Sequence, residues 1–527
     1  MSITTLSFLL LMAGTLVLYF ALPKKCQWVV LLAASFVFYA IGGIQYLAFV
    51  VITATSIYFA GRVMGRISEK QKEALKEIPK EEKKEFKLKN KRKRKAVMLA
   101  ALLLNIGILC YFKYIHFFLE QVNALLSLFK AQPINDVFSL LVPLGISFYT
   151  FQAVGYLADV YWGYYKPEKN YFKFLLFVSF FPQMTQGPIS DFEQLSKELF
   201  TEHKLDYKNF SWGCQRMIWG FFKKLCVANV LSPWVTDAFA NYQNYTGIST
   251  LIAAFMYSIQ IYADFSGYMD IICGLCEVMG INLAENFDRP YFSRSVAEYW
   301  RKWHMTMGAW FKKYIYFPIA MSNSSRKLAK KTAKLGRHFS TTFPATLALL
   351  VTWMATGLWH GASWAYIVWG LVNGLFLILE LWLKPFYAKS KSTLKINEEG
   401  KPWIAFQMVR TFILVTFIKV IPEVGTLKDG LGFLANIFTN HSIPHSISQL
   451  VPFVFTDLRI VNIATLFFGV CAMIVISVVQ YKNSFRYYFN KLPKALRILI
   501  LSTFIMVLIT YGVQNTWGAG GFLYANF

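Results

Sequence analysis

Long apolar runs recur along the whole chain, and they constrain its fold more than any other feature of the sequence. Many are close to the length of about 20 residues that a helix needs to cross the apolar part of a bilayer. The first two lie at residues 7–22 and 29–60. The composition agrees, because only 16% of the residues are charged, against about 25% in soluble domains. The sequence therefore predicts an all-α, multi-pass membrane protein.

The later apolar runs predict further membrane spans. Gly, Pro or a charged residue interrupts several of these runs, as at 141–156 and 180–192. Such interruptions are typical of broken or re-entrant helices whose backbone groups are covered by protein. The predicted later spans are 96–119, 138–162, 171–188, 211–240, 248–283, 341–360, 362–385, 403–422, 458–480 and 496–514.

The formal net charge of +26 comes from cations that lie mainly between the apolar runs. Nucleic acid is the weaker interpretation of this charge, because the positive-inside rule of membrane proteins accounts for it. We predict a basic cytoplasmic loop at 62–95, helical in part, and a second one at 322–338 after an interfacial helix. No soluble domain interrupts the chain, so residues 1–527 are expected to form a single domain embedded in the lipid bilayer. The first apolar run lacks a basic leader, and we expect it to remain as a helix.

The seven cysteines do not predict a metal site. Only Cys273 and Cys276 form a C-x-x-C pair, and their neighbours are apolar. No second pair completes a zinc site, and no H-E-x-x-H spacing is present. We predict that the two thiols pack in a buried helix and that no metal is bound.

The segment 298–318, EYWRKWHMTMGAWFKKYIYFP, mixes cations with aromatic residues. A helix over 300–314 would place Trp303, His304 and other aromatic residues on one arc, with the cations on the opposite face. Such a helix suits the membrane–water interface. His304 is then either a packed interfacial histidine or part of a site. The cations of the opposite face are Arg301, Lys302, Lys312 and Lys313.

A second histidine, His360, stands inside the apolar segment 355–380 beside Gly357, Gly361 and Ser363. An ionisable group at such a depth is costly, so a functional site is the default hypothesis. A histidine that only makes a hydrogen bond between helices is the alternative.

The segments 262–319 and 357–370 together resemble the membrane-bound O-acyltransferases, in the branch of alginate O-acetyltransferases. The chain is similar also to the membrane protein that transfers D-alanine to teichoic acid. FPQMTQGPISDFEQL at 181–195 and GGFLYANF at 520–527 fit the same pattern, although Ala525 and Asn526 are smaller or more polar than usual there. The resemblance implies a funnel of about 11–13 helices. It also implies that His360 is the catalytic histidine and that His304 is a second important one.

The resemblance implies acyl transfer from a cytosolic thioester to a hydroxyl on the opposite side of the membrane. His360 would act as a general base or carry the acyl group covalently, and His304 would orient the donor or stabilise developing charge. Trp303 and Trp359 would line the substrate passage. The four cations of the interfacial helix would attract an anionic donor such as acyl-coenzyme A or an acyl carrier thioester. Asp264 would either orient a histidine or bind a cation pair, or it would form a hydrogen bond between helices.

The sequence is compatible with several functions. Acetyl transfer to an extracytoplasmic polysaccharide at a bacterial cytoplasmic membrane is preferred, with D-alanyl transfer to teichoic acid as the alternative. The resemblance implies a separate extracytoplasmic transferase of the SGNH-hydrolase type as partner, and no permanently bound cofactor. A transporter or flippase with a proton path through Asp264, His304 and His360 is the rival from another class, and a non-catalytic scaffold is a third possibility.

Overall fold

A computed structural model of the protein describes residues 5–135, 142–443, 460–481 and 484–512. Within these ranges the chain is helical, and its only extended pairing is an isolated bridge between Phe287 and Trp303. The predicted all-α class is confirmed. The segment 520–527, which contributed to the family resemblance, lies outside the described residues. The chain divides into two compact units, residues 1–210 with 275–283 and residues 211–274 with 284–527.

Twenty-two α-helices lie in the described part of the chain. Three π-helical segments, Lys223–Ala228, Lys312–Tyr316 and Leu508–Gly512, continue α-helices. The α-helices are Leu6–Ala21, Gln27–Glu77, Lys83–Leu128, Ile146–Trp162, Tyr171–Ser179, Phe181–Met184, Phe192–Phe200, Tyr207–Phe222, Asn229–Ala240, Gly247–Val278, Val296–Lys302, Met305–Phe311, Phe317–Ala320, Asn323–Thr332, Arg337–His360, Trp364–Trp382, Lys384–Thr393, Lys401–Val420, Leu427–Thr439, Ile460–Val479, Phe485–Phe489 and Lys494–Val507.

Six of the described helical segments are long and apolar enough to cross a membrane. Two shorter apolar helices, Leu6–Ala21 and Ala464–Val479, accompany them. The protein is thus a multi-pass membrane protein, as predicted, while the count of 11–13 spans and the funnel stay predictions. The six segments are Lys24–Glu77, Lys83–Leu128, Gly247–Val278, Arg337–His360, Trp364–Trp382 and Lys401–Val420.

In the first unit, two long helices extend through most of the predicted basic loop at 62–95. Gln27–Glu77 and Lys83–Leu128 leave only residues 78–82 between them. Glu and Lys residues three and four positions apart support such solvated helix ends. The predicted partial helix is confirmed, and the cytoplasmic side of this segment stays a prediction.

A broken helix in the same unit occupies the predicted span 171–188. The helix Tyr171–Ser179 stops before Phe180, and a short turn of helix then begins at Phe181. The backbone N–H of Phe181 donates to the hydroxyl of Ser35 over 3.1 Å. A side chain from another helix thus satisfies a backbone group that the break leaves without a helical partner.

In the second unit, the helices Arg337–His360 and Trp364–Trp382 form a tightly packed hairpin. A Cβ on Gly357 would lie 2.5 Å from the carbonyl oxygen of Tyr366, and one on Gly370 would lie 2.4 Å from that of Trp353. Only glycine permits so close an approach of the two backbones. The hairpin therefore holds His360, the last residue of its first helix, against the start of the second.

Candidate functional site

The segment 298–318 does not form the continuous helix predicted over 300–314. The helix Val296–Lys302 ends before Trp303, and a new helix, Met305–Phe311, begins after His304. His304 itself adopts left-handed backbone angles, φ 47° and ψ 54°, which are uncommon for a residue other than glycine. The predicted amphipathic arc is therefore wrong.

Backbone hydrogen bonds from residues 286–288 explain the break. The N–H of Asp288 donates to the carbonyl of Lys302 over 3.0 Å, and that of Met305 donates to the carbonyl of Asn286 over 3.0 Å. These pairings replace helical hydrogen bonds at the break. Helical periodicity in the sequence could not reveal them, because the partner residues lie outside the segment.

His304 is fully buried, with 0% of its surface exposed. Its Nδ1 lies 3.3 Å from Oδ1 of Asn286, which also accepts hydrogen bonds from the N–H and the hydroxyl of Thr306. The N–H of Thr306 can only donate, so the amide oxygen is correctly placed and Nδ1 must carry the proton. Burial lowers the pKa of His304 to about 3. His304 is therefore a neutral imidazole whose Nε2 carries the lone pair.

The ring of Trp359 stands next to both histidines. Its centroid lies 6.0 Å from that of His304 and 4.8 Å from that of His360. Trp359 and His360 are also buried. The ring of Trp369 contacts His360 from another side, at 4.7 Å. The structure thus brings together three of the predicted site residues, although their roles in binding and catalysis stay predictions.

A small cavity of about 30 Å³ opens beside His360. Its volume is enough for about one or two water molecules. Two of its lining residues, Lys419 and Glu423, were missed in the sequence analysis. The same rule that drew attention to His360 could have found Lys419, a cation inside the apolar run 403–422. The lining residues are Tyr257, Ile261, Trp300, Trp303, His360, Tyr366, Trp369, Lys419, Pro422 and Glu423.

Aromatic rings surround the ammonium of Lys419, which is 6% exposed. Its Nζ lies 3.6 Å from the centroid of the Trp303 ring and about 5 Å from the rings of Tyr291 and Tyr299. It also donates a hydrogen bond of 3.0 Å to the hydroxyl of Tyr291. In the described part of the chain no carboxylate lies within 4.0 Å of this nitrogen. Cation–π attraction therefore takes the place of an ion pair.

Glu423 follows Lys419 by four residues and lies in the turn after the helix Lys401–Val420. Tyr366 donates a hydrogen bond of 3.3 Å to its carboxylate, and the hydroxyl of Tyr257 bonds it as well. Burial raises the pKa of Glu423 to about 7. Its carboxyl group can thus be neutral or charged near neutral pH.

Asp264 is buried in the helix Gly247–Val278. Its carboxylate forms a buried ion pair of 2.5 Å with Lys224, in the π-helical segment Lys223–Ala228. A neighbouring network joins Asp270 to Lys223 over 2.6 Å and to Arg216 over 2.9 Å. Asp264 therefore connects two helices, which was one of its two predicted roles.

The four predicted donor-binding cations are in different places. Lys302 pairs with Glu298 over 2.8 Å and lines a cleft of about 350 Å³ together with Arg289 and Arg294. Arg301 is exposed. Lys312 and Lys313 belong to the π-helical segment, with Nζ atoms 5.5 Å from the ring of Phe317 and 5.1 Å from that of Tyr314 respectively. Of the four predicted cations, Lys302 is the one that lines this cleft.

Cys273 and Cys276 lie buried in the helix Gly247–Val278, as the apolar neighbours predicted. Over the described ranges, no group of three or more His, Cys, Asp or Glu side chains is arranged to hold a metal ion.

Comparisons with known proteins extend these observations. The profile of the MBOAT, membrane-bound O-acyltransferase family, matches residues 168–415, which include both histidines. A probable alginate O-acetylase of Azotobacter vinelandii is 32% identical over 364 residues, 69% of this chain and 65% of the relative. A teichoic acid D-alanyltransferase of Streptococcus thermophilus is 30% identical over 58% of this chain and 74% of its own length.

A peptidoglycan O-acetyltransferase of Helicobacter pylori is more distant, at 28% identity over 53% of this chain and 54% of the relative. The matches to the alginate O-acetylases of Azotobacter vinelandii and Pseudomonas aeruginosa span 65% and 55% of those proteins. The teichoic acid D-alanyltransferase is matched over nearly three quarters of its length at 30% identity, and this match is sufficient to assign the family. The chain belongs to the membrane-bound O-acyltransferase family.

Proposed function

We propose that this protein is a membrane O-acyltransferase that moves an acetyl group from a cytosolic thioester toward hydroxyl groups of an extracytoplasmic cell-envelope polysaccharide. The observation that carries the proposal is the placement of His304 and His360 against the same buried ring, that of Trp359. Burying two ionisable side chains in a membrane protein costs free energy, and such residues usually mark a functional site. Membership of the family supports the reaction class.

His360 is the residue to which we assign proton transfer. A hydroxyl group is a weak nucleophile at neutral pH and must lose its proton as it attacks. Imidazole is the side chain best suited to accept that proton. The cavity beside His360 offers a place for a reacting group. A covalent acyl-histidine would use the same residue and the same position.

His304 is assigned a role in orienting the donor. Its Nδ1–H is engaged with Asn286, so Nε2 can accept a hydrogen bond but cannot donate one while the ring is neutral. An acceptor at this position can bind an N–H group of a thioester donor. It does not stabilise negative charge on an oxygen, so another residue must supply that part of the chemistry.

The donor is proposed to be acyl-coenzyme A or the thioester of an acyl carrier protein. Both carry phosphate groups, and the cleft lined by Arg289, Arg294 and Lys302 supplies cations for them. Arginine binds phosphate through paired N–H groups. The donor is consumed in the reaction, so no resident cofactor is required.

We propose that the protein lies in a bacterial cytoplasmic membrane. Its proposed partner on the acceptor side is an extracytoplasmic transferase of the SGNH-hydrolase type. The named activities of the relatives support cell-envelope acceptors: alginate, peptidoglycan and teichoic acid. D-alanyl transfer to teichoic acid is the second candidate, because the teichoic acid relative is matched over 74% of its length.

The test uses the full-length protein purified in detergent and supplied with acetyl-coenzyme A labelled in the acetyl group. We expect release of free thiol together with labelled product, and His360→Ala should reduce the rate by about 10²- to 10⁴-fold, the usual contribution of a general base. His338→Ala is the matched control, because His338 lies near the start of the same helix, and it should leave the rate unchanged.

The alternatives predict different results. A transporter reconstituted in liposomes would move substrate without releasing thiol, and a scaffold would be indifferent to His360→Ala. A D-alanyltransferase would turn over the D-alanyl thioester of a carrier protein and leave acetyl-coenzyme A intact. Equal rates for wild type and His360→Ala, with both proteins folded, would overturn the proposal.

A further inference from the structure

The cavity beside His360 is lined by a buried lysine, Lys419, to which no role is yet assigned. Lys419 belongs to the helix Lys401–Val420, and His360 ends the helix Arg337–His360, yet both line the same space of about 30 Å³. A lysine inside an apolar helix is costly and is usually paired with an acid or used in a reaction. The nearest lining acid, Glu423, is bonded to two tyrosines instead.

One hydrogen bond and the aromatic rings hold the nitrogen of Lys419 in place. The hydroxyl of Tyr291 donates its own hydrogen to the carbonyl of Ser258, so its oxygen is an acceptor for Lys419. The Nζ also lies over the face of Trp303 at 3.6 Å. An ammonium has three N–H groups, and these two contacts occupy two of them. One N–H group of Lys419 is therefore not used by these two contacts, and the side chain lines the cavity.

We propose that Lys419 is a further catalytic residue, whose ammonium donates a hydrogen bond to the carbonyl oxygen of the acyl group while His360 handles the proton. The proposal rests on the acyltransferase function proposed above and names the group that stabilises the negative charge. His304 cannot take this role, because its Nε2 is an acceptor. The cavity has room for a carbonyl oxygen and little more.

Transfer of the acetyl group requires no further reactant. The hydroxyl oxygen of the acceptor forms a bond to the carbonyl carbon, and the electron pair of the C=O bond moves onto the oxygen beside Lys419. The proton of the hydroxyl group passes to His360. When the C=O bond forms again, the C–S bond of the thioester breaks, and the leaving thiolate takes the proton from His360. Lys419 keeps its own protons throughout and acts only by charge and hydrogen bonding.

The first test replaces Lys419 by Met, which keeps the length and the apolar stem but removes the charge. We expect kcat for acetyl transfer to fall by about 10²- to 10³-fold, the usual effect of removing one donor to an oxyanion, with KM for the thioester changed less than threefold. Lys401→Met, at the exposed start of the same helix, is the control and should match wild type. A kcat for Lys419→Met within threefold of wild type would overturn the proposal.

The second test separates catalysis from packing by comparing two non-reacting analogues of acetyl-coenzyme A. In one, a tetrahedral, negatively charged phosphonate replaces the acetyl carbonyl; in the other, a neutral ketone is separated from sulfur by a methylene group. Lys419→Met should weaken phosphonate binding about 100-fold and ketone binding less than threefold. A purely structural role would weaken both alike or neither, and either result contradicts the proposal.

A third measurement does not depend on any variant. In a structure of the wild-type protein with the phosphonate bound, a phosphonate oxygen should lie within hydrogen-bond distance, about 3 Å, of the Nζ of Lys419. A phosphonate bound elsewhere would exclude this role even if Lys419→Met failed to fold. The proposed function is judged separately, because its loss in His360→Ala does not depend on Lys419.

Discussion

Lys224 and Asp264 form a buried ion pair, with the ammonium nitrogen 2.5 Å from a carboxylate oxygen. The two residues belong to adjacent helical segments whose backbones also meet closely, since a Cβ on Gly267 would lie 2.9 Å from the carbonyl oxygen of Gly220. Both side chains are buried. The pair therefore links the helix Gly247–Val278 to the segment Lys223–Ala228.

Breaking this ion pair should destabilise the protein strongly. Asp264→Asn would leave the Lys224 ammonium buried without its carboxylate, which costs about 3–5 kcal/mol in comparable pairs. The double variant Asp264→Leu with Lys224→Met should recover most of the lost stability, because no uncompensated charge remains. Thermal unfolding in detergent, followed by tryptophan fluorescence, measures both. An Asp264→Asn protein as stable as wild type but inactive would instead place Asp264 in substrate binding.

The neutral state of His304 should make the protein sensitive to acid. Burial lowers the pKa of His304 to about 3 in the native protein, whereas an exposed histidine has a pKa of about 6.5. Between these values the unfolded chain binds more protons than the native one, so stability is full above pH 6.5 and falls as the pH decreases toward 3. The loss is about 1.4 kcal/mol per pH unit.

Unfolding temperatures measured from pH 7.5 down to 4.5 test this expectation. His304→Gln removes the titrating group but keeps an amide that can donate to Asn286, so its profile should be flatter than that of wild type. His338→Gln, which removes a partly exposed histidine, should leave the wild-type slope. Parallel slopes for wild type and His304→Gln would contradict the burial of a neutral imidazole at this position.

The hairpin that carries His360 should not tolerate a methyl group at Gly357. A Cβ there would lie 2.5 Å from the carbonyl oxygen of Tyr366, which must move, and overpacking of this kind costs about 1–3 kcal/mol. Gly357→Ala should therefore lower the unfolding temperature and the transfer rate together. Gly107→Ala is the matched control, since a Cβ at Gly107 meets nothing within 4 Å and alanine favours a helix by up to about 1 kcal/mol. A stabilised Gly357→Ala protein would contradict the close packing of the two helices.

The sequence by itself determined the class of protein and indicated His360 as a candidate site residue. Apolar runs of membrane length are a local property of the chain, and so is the presence of His360 inside one of them. The bounds of the two hairpin helices agree with the predicted spans 341–360 and 362–385 to within four residues. The helices are Arg337–His360 and Trp364–Trp382. These features depend on residues close together in sequence, and such patterns can be read directly.

Tertiary structure decided which distant residues stand beside the histidines. Lys419 lies 59 positions after His360 in sequence, and no local period connects them, yet they share one cavity. The helix break at His304 likewise depends on two backbone hydrogen bonds, one accepted by the carbonyl of Asn286 and one donated by the N–H of Asp288. Helical periodicity describes how a segment would bury its own face, whereas pairing with another segment can replace its internal hydrogen bonds. For that reason the sequence predicted a continuous helix where the folded chain has a helix break.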